Sequence, residues 1–554
     1  MKRISFLLLL LLLADVAAEA AKPAKKSDLR ILYVGGSSEF YTYSSLNNDI
    51  PSDVQEASVA SRMKAFESFL NDYFTSVTVI RADDYVQAMS DDYDVTVMDG
   101  TPKPIVPRYV DEDKGIFLAE GYLTEDFDRP MLTIAEASDR MGRRIGTKND
   151  WFCLCLFSDA VNWRAEHPIF HGPFDVKMTV VDKPTPEAFQ YPSNFEGDVV
   201  PATMPMWRVQ AEDYEKGDRP KRIGMVSRSD GYEDSPDAEF ISSGVCAKHP
   251  SAVAIGRHGN FFHWGFAASP ANMTEEAKPV LANAIVYISK FAGQTPIARK
   301  YDDRVYARWR GRDRELPVKN PYVYYKYGEV DEDVKSLGIP NDDKRLLDTA
   351  IRLLESGKDV DKARRILTRY TLNDFATAGE WRAWYEKYKN KLFFTEAGGW
   401  VFLVNSREPG VNDYSSFLER QAAKQVPAGE TNDRKPVAIT AGVTVAQDGS
   451  RVLNIKTVIH PGYHIYDKVA KGDPFIATKV EVTLPDGCMA VGELVRPQGS
   501  YYTSNGTTVY KDTVVFSQKF TGDAKGEVKC KVTYQCCDPT ICFPPVEKEL
   551  SVAL

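Results

Sequence analysis

The sequence predicts a multidomain protein: an N-terminal α/β domain on a parallel sheet, a helical middle region, and a C-terminal β-sandwich. Three patterns predict it. Strand-like and helix-like segments alternate from Leu29 to about residue 295, apolar groups then recur at helical spacing, and beyond Pro436 the period changes to two. At 554 residues the chain exceeds what a single core organises, so about three domains are expected.

In order, Arg30-Ile31-Leu32-Tyr33-Val34 is a buried strand running into the turn Gly35-Gly36-Ser37-Ser38. Val54 to Phe74 reads as a helix, with Val59, Met63, Phe66, Phe69 and Leu70 on one side. Ser76 to Ile80 and Tyr93 to Met98 are strands, the second ending at Asp99-Gly100, and Met131 to Ala135 and Trp151 to Phe157 continue the series. Ala252 to Gly256 is the last strand. Thr274 to Phe291 is a closing helix with Thr274 as N-cap and Ala277, Val280, Leu281, Ala284, Ile285 and Ile288 buried. Alternation of this kind implies parallel strands joined by right-handed crossovers, over residues 28–295.

Residues 296–404 read as helical, through Asp342 to Ser356, Asp361 to Thr371 and Glu380 to Lys391, with a strand-like exit over Gly398 to Val404. Residues 405–433 have the polarity of a linker, with a brief helix around Phe417 to Gln421. Residues 434–554 carry short alternating strands at Val437 to Thr440, Val452 to Val458, Lys479 to Leu484, Thr513 to Ser517 and Val528 to Tyr534. The turn signals Asp448-Gly449, Pro485-Asp486-Gly487 and Ser504-Asn505-Gly506 separate them, the pattern of a β-sandwich.

The first twenty residues read as a secretory signal peptide: Lys2 and Arg3, the apolar run Phe6 to Leu13, then small residues with cleavage expected after Ala18 or Ala20. The run is short for a span of about 20 residues, and no later segment is apolar enough. The mature chain is expected in the periplasm or secreted, without a stable membrane span. A net charge of -9 argues against a nucleic-acid or anionic-membrane partner. The basic stretch Arg299 to Arg314 is interrupted by Asp302, Asp303 and Asp313 and reads as a solvated connector.

Export permits disulfides, and there are eight cysteines: Cys153, Cys155, Cys246, Cys488, Cys530, Cys536, Cys537 and Cys542. The last three stand in Tyr534-Gln535-Cys536-Cys537-Asp538-Pro539-Thr540-Ile541-Cys542-Phe543-Pro544-Pro545. A hairpin turning at Asp538-Pro539 brings its arms to about 5.5 Å, the separation a disulfide needs. Cys537 with Cys542 is the natural pair, and spacing also permits Cys536 with Cys542. As a staple, so short a loop contributes only roughly 2 kcal/mol, a weak reason for the bond in a domain with ample apolar pattern. Three sulfurs without a nearby histidine fall short of a zinc set, so no metal or cofactor is expected. The short loop holds no Lys, Arg or His to lower a thiol pKa, which favours a relay that reacts through docking over a fast catalyst.

This segment resembles the N-terminal periplasmic domain of the disulfide interchange protein DsbD, an immunoglobulin-like domain whose last strands hold a redox pair in a Tyr-Gln-x-Cys…Cys-x-Pro-Pro frame. Pro461-Gly462-Tyr463-His464-Ile465-Tyr466 and Tyr501 to Asp512 are similar to two further segments of it. The resemblance covers about residues 434–554. It implies that Cys537 and Cys542 are the exchanging, catalytic pair and that an aromatic near Tyr501 or Tyr502 caps the disulfide. It also implies a thiol–disulfide exchange partner. Cys536 departs from the frame, where a small residue is usual. The electron-transporting membrane segment and thioredoxin-like domain of full-length DsbD are absent from this sequence, so the chain is expected either to be reduced by a partner or to act as a binding module that kept the cysteines.

Residues 28–295 resemble the ThuA-like branch of the class I glutamine amidotransferase-like, flavodoxin-like fold. The strings Ile31 to Gly36, His167-Pro168-Ile169-Phe170-His171-Gly172 and Gly256 to Phe266 carry the likeness. A carbohydrate ligand is implied by that resemblance. An amidotransferase needs a cysteine nucleophile after the strand at Met131 to Ala135, where Glu136-Ala137-Ser138 stands instead. That activity is excluded. Cys153 and Cys155 read as core thiols, and His167, His171, His258 and His263 as hydrogen-bonded structural groups. By topology, the turn Gly35 to Ser38 is where such a sheet binds ligands. The sequence therefore predicts an exported thiol–disulfide relay or acceptor. The rival is a carbohydrate-binding or carbohydrate-processing envelope protein whose sandwich is an interaction module.

Overall fold

A computed structural model describes residues 25–40, 50–111, 116–148, 152–186, 201–214, 221–227, 232–246, 250–299, 331–395, 401–414, 429–432, 435–445, 450–522, 526–538 and 542–554, with backbone alone at 109–111, 116–118, 152 and 153. The expected signal peptide, the connector beyond Arg299, the helix at Phe417 to Gln421 and the turns at Gly398-Gly399 and Asp448-Gly449 lie outside those residues, as does Pro539.

The N-terminal part comprises β1 (Ser27–Gly35), α1 (Ser52–Tyr73), β2 (Phe74–Arg81), β3 (Val95–Met98), the hairpin β4 (Tyr109–Asp111) and β5 (Ile116–Leu118), β6 (Met131–Ile134) and α2 (Ala137–Gly142). Then follow β7 (Phe152–Val161), β8 (Val180–Pro184), β9 (Thr203–Arg208), β10 (Gly224–Ser227), β11 (Ala238–Cys246), β12 (Val253–His258), β13 (Phe261–Trp264) and α3 (Ala277–Ile288). All but β4 and β5 join one 11-stranded sheet in the order β2-β1-β3-β6-β13-β12-β10-β7-β9-β8, with β11 paired to β12 and β7.

The expectation of a parallel sheet needs correcting. Strands β2, β1, β3, β6 and β13 are parallel, and everything beyond β13 pairs antiparallel. The reversal has a local cause. Only Gly259 and Asn260 separate β12 from β13, a length that makes a hairpin, whereas parallel neighbours need a crossover of about a dozen residues. Gly259 sits at φ +56, and a Cβ there would lie 2.5 Å from the Gln294 carbonyl oxygen.

Both faces of β1 are covered, which is why it reads as a continuous apolar run. Ile31 and Tyr33 pack with Phe66, Phe69 and Leu70 of α1 and with Leu281 and Ile285 of α3. Leu32 and Val34 face the other way, toward Met98, Met131 and Met141. Thr274 does not cap α3: Glu276 occupies that position, and the Thr274 hydroxyl donates to the Arg208 carbonyl at 3.0 Å. Between β6 and α2 the backbone turns through Ala135 at φ +47, a left-handed conformation that a side chain rarely adopts.

The middle region holds α4 (Glu332–Leu337), α5 (Arg345–Ser356), α6 (Val360–Tyr370) and α7 (Ala378–Tyr388), then a hairpin of β14 (Leu392–Thr395) and β15 (Val401–Val404). Leu346, Leu347, Ile351, Ile366, Leu367 and Trp381 form its core. Helix α5 stops at Gly357 in the left-handed region, and α7 starts with a Thr377–Glu380 capping box.

The C-terminal region is all β: β16 (Val437–Val445), β17 (Arg451–Ile459), β18 (His464–Lys468), β19 (Lys479–Thr483), β20 (Met489–Ala490), β21 (Ser500–Tyr501), β22 (Thr508–Tyr510), β23 (Thr513–Thr521), β24 (Glu527–Tyr534), β25 (Cys536–Cys537) and β26 (Val546–Ala553). They form the sheets β16-β17-β23-β20, β21-β22-β18-β25 and β19-β24-β26 around Leu453, Ile455, Ile465, Phe516, Phe520 and Val532. Among the described residues, no helix is long and apolar enough to cross a membrane.

Candidate functional site

Strand β25 pairs antiparallel with β18, setting His464 opposite Cys537 and Ile465 opposite Cys536. Because strand side chains alternate, this register sends the two consecutive cysteines to opposite faces. Cys536 joins Ile465 in the sandwich core, while Cys537 packs with Tyr466, Phe475 and Val509 in a separate aromatic cluster. Cys542 reaches the same cluster, lies directly across from Cys537 with 4.1 Å between Cα atoms, and is joined to it in a disulfide. The Phe543 N–H donates to the Cys536 carbonyl at 2.8 Å and fixes the far arm. Gln535 braces the hairpin, accepting from the Ile476 N–H at 3.0 Å and donating to the Phe543 carbonyl at 3.3 Å. Of the two open pairings, the geometry selects Cys537–Cys542.

The two sulfurs sit in unequal surroundings. Cys537 is 0% exposed, whereas Cys542 is half-buried. The Tyr466 hydroxyl donates to the Cys537 Sγ at 3.2 Å and lies 3.7 Å from the Cys542 Sγ. The His464 Nε2 stands 3.3 Å from that hydroxyl. Around them Tyr466 stacks on Phe475 at 4.4 Å, and Tyr502 meets His464 at 4.6 Å and Tyr466 at 5.7 Å. Tyr501 points away and is 72% exposed, so Tyr502 is the aromatic beside the disulfide.

Tyr502 is held by its own loop. Asp473 accepts from the Thr503 hydroxyl at 3.1 Å, from Asn505 Nδ2 at 3.1 Å and from the Thr507 hydroxyl. Asp467 anchors the loop base, accepting from the Gly499 N–H at 3.1 Å, the Thr508 hydroxyl at 2.9 Å and the Tyr510 hydroxyl at 2.6 Å. The sequence of the short loop between the cysteines supplies no Lys, Arg or His. Tyr466 and His464 come instead from β18, about seventy residues away in sequence, and strand pairing brings them there. Cys530 is buried, which pushes its thiol pKa up, and Cys155 and Cys246 are buried in the N-terminal part.

The sequence-derived candidates of the N-terminal part are scattered. His258 is buried, with Nδ1 accepting from the Lys148 N–H at 3.0 Å and Nε2 3.3 Å from Asp237; burial pushes its pKa down to about 4. His263 is also buried and pushed down to about 4, its Nδ1 2.6 Å from the Ser138 hydroxyl and its Nε2 3.1 Å from the Met225 carbonyl. His167 and His171 hold local turns, through the Ile169 N–H at 3.4 Å and the Ala165 carbonyl at 2.7 Å. Among the described residues, no group of His, Cys, Asp and Glu could hold a metal ion.

At the carboxyl ends of β1 and β3, the Gly35 to Ser38 turn is closed rather than open. A Cβ on Gly100 would lie 2.6 Å from the Gly35 carbonyl oxygen. Behind it is a buried ion network that sequence reasoning missed. Asp99 accepts from Arg62 at 2.7 and 2.9 Å, from Arg222 at 3.2 Å and from the Tyr33 hydroxyl at 2.9 Å. Arg222 also donates to Glu136 at 3.1 Å, and Arg62 pairs with Glu39 at 3.0 Å. The available signal was Arg62 itself, a charge standing between Val59 and Phe66 on the apolar side of α1. The two guanidinium groups hold the Asp99 carboxyl below its ordinary range despite burial.

Residues 435–554 match the family model "Thiol:disulfide interchange protein DsbD, N-terminal", an immunoglobulin-like fold. Similar solved structures include the N-terminal periplasmic domain of ScsB from Proteus mirabilis, at 16% identity over 22% of this chain and 48% of that chain, TM-score 0.18. The reduced DsbD N-terminal domain of Neisseria meningitidis is 20% identical over 21% of this chain and 85% of that chain, TM-score 0.13. The complex of the DsbD and PilB N-terminal domains from Neisseria meningitidis is 20% identical over 21% of this chain and 81% of that chain, TM-score 0.15. The match thus spans about half the length, 48%, of the ScsB domain. The search of curated proteins gives no match.

Proposed function

We propose that the protein is an exported thiol–disulfide exchange protein, a relay or acceptor of electrons, with Cys537 and Cys542 as its exchanging pair. The observation that carries this reading is the disulfide itself, with one sulfur at 0% exposure and the other half-buried, inside the region that matches the DsbD N-terminal family.

The asymmetry assigns roles. A partner thiolate attacks the accessible Cys542 Sγ, the Sγ–Sγ bond breaks, and Cys537 leaves as a thiolate beside the Tyr466 hydroxyl. A second partner thiolate then attacks the mixed disulfide and expels the Cys542 thiolate. The partner ends as a disulfide, and this protein holds two electrons and takes up two protons. In reverse, the Cys542 thiolate attacks a partner's disulfide and Cys537 resolves the mixed species. Tyr502 shields the pair from small thiols. The partner is a thiol–disulfide exchange protein, a role in keeping with the PilB complex of the Neisseria DsbD domain.

For the N-terminal part we infer a ThuA-like α/β domain without amidotransferase chemistry. The parallel half-sheet β2-β1-β3-β6-β13 and the left-handed turn at Ala135 support it. That turn is where a nucleophile would stand, and an alanine methyl has none to offer.

The test is alkylation of the native full-length protein after a dithiol pulse. The wild type is expected to yield two new thiols, assigned to Cys537 and Cys542. Offered an oxidised small-molecule disulfide instead, Cys537→Ser is expected to accumulate a mixed disulfide through Cys542, releasing the other half of that disulfide as a thiol. A pair that resists a dithiol in the folded protein, with Cys537→Ser forming no adduct, would mark a structural staple.

A further inference from the structure

We propose that His464 is a positioning residue of this site. It acts on the Cys537 sulfur through Tyr466, as a proton source for the departing thiolate, and makes the exchange pH-dependent. The inference rests on the reading of Cys537–Cys542 as an exchanging pair and adds a regulated proton to it.

The direction of the hydrogen bonds carries the argument. Tyr466 has one hydroxyl proton, and it is committed to the Cys537 Sγ at 3.2 Å. Its oxygen therefore meets the His464 Nε2, 3.3 Å away, as an acceptor. We assign the imidazole the tautomer that carries its proton on Nε2, which joins the three groups in one chain, Nε2–H to Oη–H to Sγ. The ring cannot swing freely out of this chain. His464 is 4% exposed, stands opposite Cys537 in the β18–β25 register, and packs edge-on against Tyr466 and at a tilt against Tyr502.

The chain is needed because of where the leaving group forms. When the Sγ–Sγ bond breaks, the electron pair goes to a Cys537 sulfur with no solvent exposure, where an unneutralised thiolate is costly. The Tyr466 proton passes to Sγ as the His464 Nε2 proton passes to Oη. Imidazolium becomes imidazole and thiolate becomes thiol; no electrons move in this step. Imidazole is the side chain whose ordinary charge change falls at about pH 5–8.

Among the described residues, the titratable groups beside the ring include Tyr466, Tyr502 and, once the disulfide is reduced, Cys537. Asp538 follows Cys537 and is buried, and Lys468 lies at the exposed end of β18. On the Tyr502 loop, Asp473 is engaged by Thr503, Asn505 and Thr507; Asp467 and Tyr510 bond to each other at the loop base.

The test measures the rate of dithiothreitol reduction of the full-length protein from pH 5 to 9, normalised to the dithiothreitol thiolate present. Wild type is compared with His464→Gln, which keeps a donor that does not titrate, and His464→Phe, which removes it. The expected wild-type profile carries a step that His464→Gln lacks. His464→Phe should slow reduction roughly 10-fold or more on the acid side of that step, in keeping with loss of one charge-assisted hydrogen bond, and by less on the alkaline side. Superimposable profiles for wild type and His464→Gln overturn the proposal even if His464→Phe fails to fold. A wild-type disulfide that dithiothreitol leaves intact in the folded protein overturns the exchange reading itself. Normal exchange without the step overturns only the role of His464.

Discussion

Replacing Asp473 with alanine should expose the disulfide without touching either sulfur. Asp473 accepts hydrogen bonds from Thr503, Asn505 and Thr507, and these hold the loop that carries Tyr502. Hydrogen bonds to a charged group each contribute about 1.5–3 kcal/mol, but Asp473 is only half-buried, so solvent competes for all of them. We therefore take about 2 kcal/mol for the set, near the low end for a single well-buried bond. Against RT, that raises the open population of the loop roughly 30-fold. The assay is native-state reduction by excess dithiothreitol at fixed pH, quenched by alkylation and read by mass. If Tyr502 gates access, Asp473→Ala is reduced roughly 30-fold faster than wild type, and Asp473→Asn, which keeps an acceptor, falls between. A rate within about twofold of wild type, in a variant whose loop is shown by hydrogen exchange to open more often, would falsify the gating argument.

Cys536→Ala should leave the Cys537–Cys542 bond formed and cost about 1–2 kcal/mol from the sandwich core, read by thiol counting and by urea unfolding; loss of the native bond would contradict the two-faced strand. Asp99→Asn removes the one carboxylate shared by Arg62 and Arg222, and should destabilise the N-terminal part by about 3–5 kcal/mol; a change under about 1 kcal/mol in calorimetry would contradict the network. His263 is held near pKa 4 in the fold against 6.5 unfolded. Its contribution is therefore fully present above pH 6.5 and is lost as the pH falls toward 4, because the unfolded chain takes up the proton first. Unfolding midpoints should drop between pH 7 and 4.5 in wild type and drop less in His263→Gln, and equal drops would refute the assignment.

How much of this was legible depended on whether the signal was local. The runs at Ile31 to Val34 and Met131 to Ile134, the α1 stripe and the helical spacing over α5 announced themselves, because each buries a regular face. The antiparallel half of the N-terminal sheet did not. Its strands β10 and β11 are buried whichever direction their neighbours run, and only the two-residue Gly259-Asn260 turn betrayed the hairpin. Short strands such as β21 and β25 have two residues each, too few to show a period. The cysteines were legible as a candidate site from their spacing and frame. The groups that act on their sulfurs were not, since Tyr466 and His464 reach them through a register that no local pattern encodes. Thr274 illustrates the reverse error: a good capping residue at the right place bonded elsewhere, to the Arg208 carbonyl.

The back-to-back placement of Cys536 and Cys537 has a consequence for how the protein matures. Only two residue pairs, His464 with Cys537 and Ile465 with Cys536, tie β25 to its neighbour. A slip of one position would exchange the two thiols, offering Cys536 to oxidation and sealing Cys537 inside. An oxidant that arrives before the strands have docked therefore meets two chemically equivalent candidates for Cys542, and half-folded chains can be trapped as the wrong isomer. Maturation must run in one sequence, docking first and oxidation second, or rely on an isomerase to undo the mistake.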